Sequence, residues 1–187
     1  MRRRGFTTTE VLVVVAILVV LSALAVPAFQ AVRRKGQVQA GRALLDELRL
    51  AVAAYASDHG DPPPSGPRGR RRDAPGEPNQ GIEALVLALQ APGPKGTYFT
   101  FDPARLGDVD GDGRQEAVDP WGTPLAYLHN RAYDAGATVS LPLGGEDHVS
   151  AARDEAGQLR GLTSYQLWSA GPDGQAGTDD DLRAWGD

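Results

Sequence analysis

The chain has 187 residues, 24 acidic against 19 basic side chains, a formal net charge of −5, 23 glycines, 14 prolines and no cysteine. That length suits one domain carrying a long helix, and the acid excess argues against non-specific nucleic-acid binding as the main role. With no cysteine, no disulfide pins the loops and the redox compartment cannot be read from thiols.

Arg2, Arg3 and Arg4 open the chain, followed by Gly5, Phe6, three threonines and Glu10. An apolar run over 11–26 comes next, with Ser22 its only polar side chain. A helix crossing hydrocarbon takes about 20 apolar residues. Counted from Phe6, the stretch reaches that length only if the threonines and Glu10 enter the lipid. A carboxylate in that position is costly and marks a functional site, because in low dielectric it must be paired or neutralised. Two plainer readings compete. A cleavable secretory signal would use Ala23-Leu24-Ala25 as its cut site, but the helical pattern runs on past that point. A simple anchor gives Glu10 no role.

The helical pattern extends from Phe6 to about Ser57, on the order of 80 Å of helix. Pro27 is expected to kink or locally melt it. Beyond Pro27 the pattern becomes amphipathic, with Val38, Leu44, Leu45, Leu48, Val52 and Tyr55 on one stripe. Gly60 and three prolines at 62–64 mark its end. Residues 65–80 read as a Pro/Gly/Arg-rich surface loop. Its Arg68, Arg70, Arg71 and Arg72 have no interleaved aromatics, which favours a solvated basic loop over a DNA contact. Residues 82–90 form a short helix with Leu85, Val86 and Leu89 inward. A short strand is possible at 98–101, and better strands at 125–128 and 164–168. Residues 132–160 read as connector. The fold class is α+β: a long N-terminal helix packed on a small antiparallel sheet, with a loop-rich C-terminal region.

Two acidic loops carry candidate metal chemistry. Near the C-terminus, Asp173 is separated by Gly174 and Gly177 from the run Asp179, Asp180 and Asp181. Calcium takes six to eight oxygen ligands, and such a loop supplies carboxylates and carbonyls; an uncoordinated acidic tail is the alternative. The second loop has Asp108, Asp110 and Asp112 at positions one, three and five, Gly113 at six and Asp119 at twelve, a spacing similar to an EF-hand loop. No helix pattern leads into it, and calcium site and acidic turn are evenly matched readings. Asp119 has a second reading, as a cap for the turn at Pro120-Trp121. His59, His129 and His148 are isolated, and no nucleophile elbow or His pair is present, so the chain is not expected to be an enzyme.

The start of the chain, three arginines then Gly5-Phe6, Glu10 and an apolar run, resembles the class III signal of type IV pilins and type II secretion pseudopilins. The resemblance implies cleavage between Gly5 and Phe6 by a prepilin peptidase, N-methylation of Phe6, and Glu10 as the fifth mature residue. Removal of residues 1–5 leaves 16 basic against 24 acidic side chains, a formal balance of −8. Glu10 then sets register by meeting the N-terminal amine of a neighbouring Phe6. Further landmarks are similar to the major pseudopilin: Tyr55 with Asp58 and Gly60, the run Gly81 to Val86, Asp119-Pro120-Trp121-Gly122-Thr123-Pro124, and the ending from Ser169 to Leu182 with Trp185 behind it. Residues 65–80 and 99–116 are longer than that family usually has.

The resemblance implies a pilin-like fold. It divides the chain into a leader (1–5), a transmembrane and assembly helix (6–27), the amphipathic half of that helix (28–60) and a periplasmic head (61–187). It implies a single-pass inner-membrane protein that becomes a structural subunit of a homo-oligomeric helical filament driving secretion. Its partners would be the prepilin peptidase, minor pseudopilins and an inner-membrane assembly platform. Calcium in the C-terminal loop would be held by Asp173 with Asp180 and Asp181. A type IV pilus or competence pilin that binds surfaces or DNA is the alternative. A membrane-anchored periplasmic enzyme or binding protein lacks any visible catalytic constellation.

Overall fold

A computed structural model describes the protein over residues 8–66, 77–94 and 96–185, the side chains of 24–28 excepted. The predicted cleavage pair Gly5-Phe6 and the arginines of the 65–80 loop lie outside those residues. The chain forms two compact units, 1–36 and 37–187.

Helix α1 runs over Thr8–His59 and continues through Pro27, which does not melt it. The first unit holds its N-terminal part, where Val11 to Leu21 are exposed along the helix surface, Leu12 at 70% and Val19 at 63%. Among the described residues no helix is long and apolar enough to cross a membrane. The run is 16 residues long in the sequence, 11–26, short of the about 20 that a spanning helix takes.

In the second unit the predicted stripe is the buried face of α1. Leu44, Leu45, Leu48, Val52 and Tyr55 are buried, and Val38 packs at the margin. Each such aliphatic side chain contributes about 1.5–3 kcal/mol by leaving water. Gly60 ends the helix with φ 78°, its amide donating to Ala56 O at 2.7 Å, a conformation that suits glycine at a helix C-terminus.

Helix α2 (Gln80–Gln90) buries Ile82, Leu85, Val86 and Leu89. Two-residue pairs follow: β1 (Pro92–Gly93) with β2 (Gly96–Thr97), and β3 (Leu106–Gly107) with β4 (Glu116–Ala117). Residues 98–101 are not a strand, because Tyr98 and Phe99 both donate their amides to Leu89 O and cover the end of α2. The main sheet is antiparallel, in the order β5 (Ala126–His129), β8 (Tyr165–Ser169), β9 (Leu182–Trp185). The segment read as connector supplies a hairpin, β6 (Ala137–Ser140) with β7 (Glu146–Val149).

Period-two alternation lets the main sheet serve two cores. Tyr127, Leu167, Leu182 and Ala184 join α1 and α2 in one cluster. Ala126, Leu128 and Trp168 join Val139 and Val149 of the hairpin in the other. Gln166, opposite Leu128 and in the same row as Trp168, is fully buried. Its amide takes the Ala152 N–H at 2.6 Å and donates to Ala152 O and Arg160 O at 3.0 and 2.8 Å, which anchors the connector.

Two close approaches fix α1 and α2 against β5. A Cβ at Gly81 would lie 2.1 Å from Tyr127 O, so α2 crosses the strand where only glycine fits. The chain leaving α1 is tied to the same strand. Tyr127 Oη donates to Pro63 O at 2.6 Å and the His129 amide donates to Ser65 Oγ at 3.1 Å. His129 Nδ1 accepts from the Arg131 amide, which leaves Nε2–H to donate to Asp61 at 3.2 Å. Arg131 also pairs with Asp61, at 2.6 Å.

Candidate functional site

Glu10 stands in the first turn of α1, on the exposed surface of the first unit, next to the apolar side chains from Val11 onward. A contiguous apolar surface of that kind marks an interaction face.

The second unit brings four carboxylates together. The loop over 108–116 curls through Gly111 and Gly113, both with positive φ (79° and 90°). Asp110 and Asp112 each accept the amide two residues on, at 3.2 and 2.8 Å. This turns both side chains toward Glu83 on α2 and Glu116 on β4. One oxygen from each of Glu83, Asp110, Asp112 and Glu116 lies within 4.8 Å of all the others.

The neighbours are polar and uneven. Arg114 Nη1 reaches Glu83 at 3.0 Å, Asp112 at 3.2 Å and the exposed Glu77 at 3.3 Å. Glu116 has no exposed surface; it accepts from Val109 N at 2.9 Å and from Asn79 Nδ2 at 3.4 Å. Asn79 also donates to Asp110 and accepts from the Ser140 amide, which places it between the loop and β6. It takes φ 58°, a left-handed value that asparagine tolerates at the start of α2. Burial pushes the Glu116 carboxyl up to about 7, against the lowering effect of its hydrogen bonds. Burial also raises Glu83, with Arg114 opposing and Asp112 reinforcing. Glu83 Oε1 is buried and has no hydrogen-bond partner among the described residues. A cleft of about 520 Å³ opens onto Asp110, Asp112 and Arg114, with Ser140, Gly144 and Glu146 across it.

Only two of the four residues predicted for this loop belong to the cluster. Asp108 spends Oδ2 on the Gly113 amide at 3.1 Å. Asp119 is buried elsewhere and takes the capping role. Its Oδ1 accepts from the Trp121 and Thr123 amides, both at 2.9 Å, and its Oδ2 from Ser169 Oγ at 2.6 Å. The Gly171 amide in turn donates to Ser169 Oγ. Burial nevertheless raises the Asp119 pKa above its ordinary value. The aspartate spacing does not single out Glu83 or Glu116. Glu116 stands ninth in the EF-like loop, itself a ligand place in that pattern; nothing local marks Glu83.

The C-terminal aspartates are engaged mainly by their own loop. Asp180 accepts from Thr178 Oγ1 and the Asp173 amide, and the Thr178 hydroxyl chiefly holds its pKa below the usual value. Asp181 Oδ2 accepts from the Gly177 amide at 3.0 Å and from Arg183 at 2.9 Å. Among the described residues, Asp173, Asp179, Asp180 and Asp181 do not form a convergent carboxylate group. One feature suits a hard cation: Asp181 Oδ1 is buried without a hydrogen-bond partner among the described residues.

No family profile and no solved structure matches the chain. Curated relatives do. The chain is 28% identical to a type II secretion system core protein G of Escherichia coli K12, over 99% of this chain and 92% of the relative. It is 34% identical to the core protein G of Pseudomonas aeruginosa, over 68% and 77%. A type IV major pilin of Neisseria gonorrhoeae matches at 30% identity, but over 46% of this chain and 40% of the pilin.

Proposed function

Because this chain belongs to the type II secretion system core protein G family, we propose that it is a structural, non-catalytic subunit of a type II secretion pseudopilus. The observation that carries this reading is the near end-to-end match to a core protein G. The pilin match, which covers under half of either chain, supports the alternative less well.

The finer steps rest on the resemblance of the N-terminal segment and the acidic loop to those of the family. A prepilin peptidase cuts between Gly5 and Phe6, and Phe6 is methylated. The apolar run with its polar flank holds the precursor in the inner membrane, with the head in the periplasm. On assembly the exposed apolar side chains of α1 meet those of neighbouring subunits, replacing lipid contacts with packing. Glu10 faces the amine of a neighbouring Phe6, an ion pair that sets axial register in a low-dielectric core. Minor pseudopilins and an inner-membrane platform are the expected partners. Calcium is held at the C-terminal loop through Asp181, with Asp173 and Asp180, once the loop's internal bonds open. Bound there, it would offset the repulsion among these aspartates and stiffen the loop.

Mass spectrometry of the protein from its native membrane tests the first step, with a methylated Phe6 as the expected N-terminus. A chain trimmed near Ala25 would overturn it. Secretion in a strain lacking the subunit tests the role: this chain restores it, and Glu10→Val inserts but does not. Equal filament yield from Glu10→Val would refute the register argument.

A further inference from the structure

The carboxylates of Glu83, Asp110, Asp112 and Glu116 come from α2, the 108–116 loop and β4, and their oxygens lie within 4.8 Å of one another. Oxygens on one calcium shell, at about 2.3–2.6 Å from the ion, are at most roughly 5 Å apart. The four groups therefore already occupy the volume of one coordination sphere. Arg114 supplies a single positive charge against four carboxylates. Glu83, itself 6% exposed, keeps one buried oxygen without a hydrogen-bond partner among the described residues, on the residue that α2 projects into the group. A buried carboxylate oxygen without a donor is costly, and a cation is the ligand that would satisfy it. The cleft at Asp110 and Asp112 gives an entry route.

We infer that these four side chains form a site for a hard divalent cation such as calcium, favoured over softer metals by its all-oxygen donor set, and separate from the C-terminal loop. Arg114 is its built-in competitor. It holds Glu83 and Asp112 in the metal-free state and swings toward Glu77 when the ion enters. The ion staples the loop to α2 and to β4, adding to the apolar packing of α2 on Ala117.

The experiment is calcium titration of the full chain in detergent, followed by calorimetry and by thermal melting. A background variant carrying Asp173→Asn and Asp181→Asn removes the C-terminal loop from the reading. That variant is expected to bind one calcium per chain and to melt higher with calcium than with chelator. Adding Asp112→Asn should weaken binding by about tenfold or more, because ligand charge sets affinity. Adding Arg114→Gln instead should tighten it by about tenfold, through loss of the competing cation. Calcium-indifferent melting of a folded background variant would overturn the site. So would an affinity unmoved by both Asp112→Asn and Arg114→Gln. Secretion by the unmodified chain is scored separately, so failure here leaves the pseudopilus reading intact.

Discussion

Replacing Asp119 gives the clearest test of how the head is held together. Its carboxylate accepts from two backbone amides and from Ser169, whose oxygen receives the Gly171 amide, so one side chain connects the 119–123 turn, the end of β8 and the start of the C-terminal loop. Asp119→Ala leaves the amides of Trp121 and Thr123 and the Ser169 hydroxyl without their acceptor, the last two in a buried site. Each orphaned donor costs about 1–3 kcal/mol, so the loss should be roughly 3 kcal/mol or more. For a chain of this size that is a Tm lower by roughly 6–12 °C. Asp119→Asn keeps Oδ1 for both amides, and Ser169 can turn to accept from the new amide group, so it should lose less than about 1 kcal/mol. The pH dependence adds a sign. Burial raises the native carboxyl above the ordinary aspartate value of 3.8. Below 3.8 both states hold the proton and this group contributes no slope. As pH rises past it, the unfolded chain ionises first, so this group's contribution to stability falls until the native carboxyl also ionises. Asp119→Asn should remove that decline. The assay is thermal melting by near-ultraviolet circular dichroism at several pH values. Asp119→Ala melting within about 2 °C of the parent, or a wild-type minus Asp119→Asn difference that rises with pH, would refute the reasoning.

Three other changes follow from the same packing. Gly81→Ala places a Cβ 2.1 Å from Tyr127 O; α2 must retreat, at about 1–3 kcal/mol, and urea unfolding should show it. Gly36→Ala, with nothing within 4 Å of the added carbon, should leave the melt unchanged or raise it, since alanine favours helix by up to about 1 kcal/mol. Gln166→Leu removes the partners of Ala152 and Arg160 from a fully buried position. It should cost about 2–4 kcal/mol and speed hydrogen exchange at the Ala152 amide, while unchanged exchange would count against the anchoring role.

What the sequence revealed depended on how local the signal was. The α1 stripe from Leu44 to Tyr55 was legible because every member sits three, four or seven residues from another. β5 and β8 were legible as short apolar runs because both faces of the sheet are covered. The β6–β7 hairpin was not. Its strands read Ala-Thr-Val-Ser and Glu-Asp-His-Val, and Val139 and Val149 are their only large buried apolar side chains. β9 was hidden behind the acidic loop for the same reason, with Leu182 and Ala184 its only buried members. The EF-like spacing located Asp110 and Asp112, yet it also enlisted Asp119, which folding assigns to the Pro120 turn. Glu83 was beyond reach, since its partnership with the loop exists only once α2 has docked.

The way α1 hands over to the head has a mechanical meaning. Between Asp61 and Ser65 the polypeptide is riveted to one strand at three places, by an acid, a carbonyl and a hydroxyl, and its prolines permit little torsion. A junction so braced resists swivelling. Traction on the last turns of the helix passes to β5 through these contacts, of which the Tyr127–Pro63 and His129–Ser65 bonds are buried and the Asp61–His129 bond, partly exposed, is the first to open.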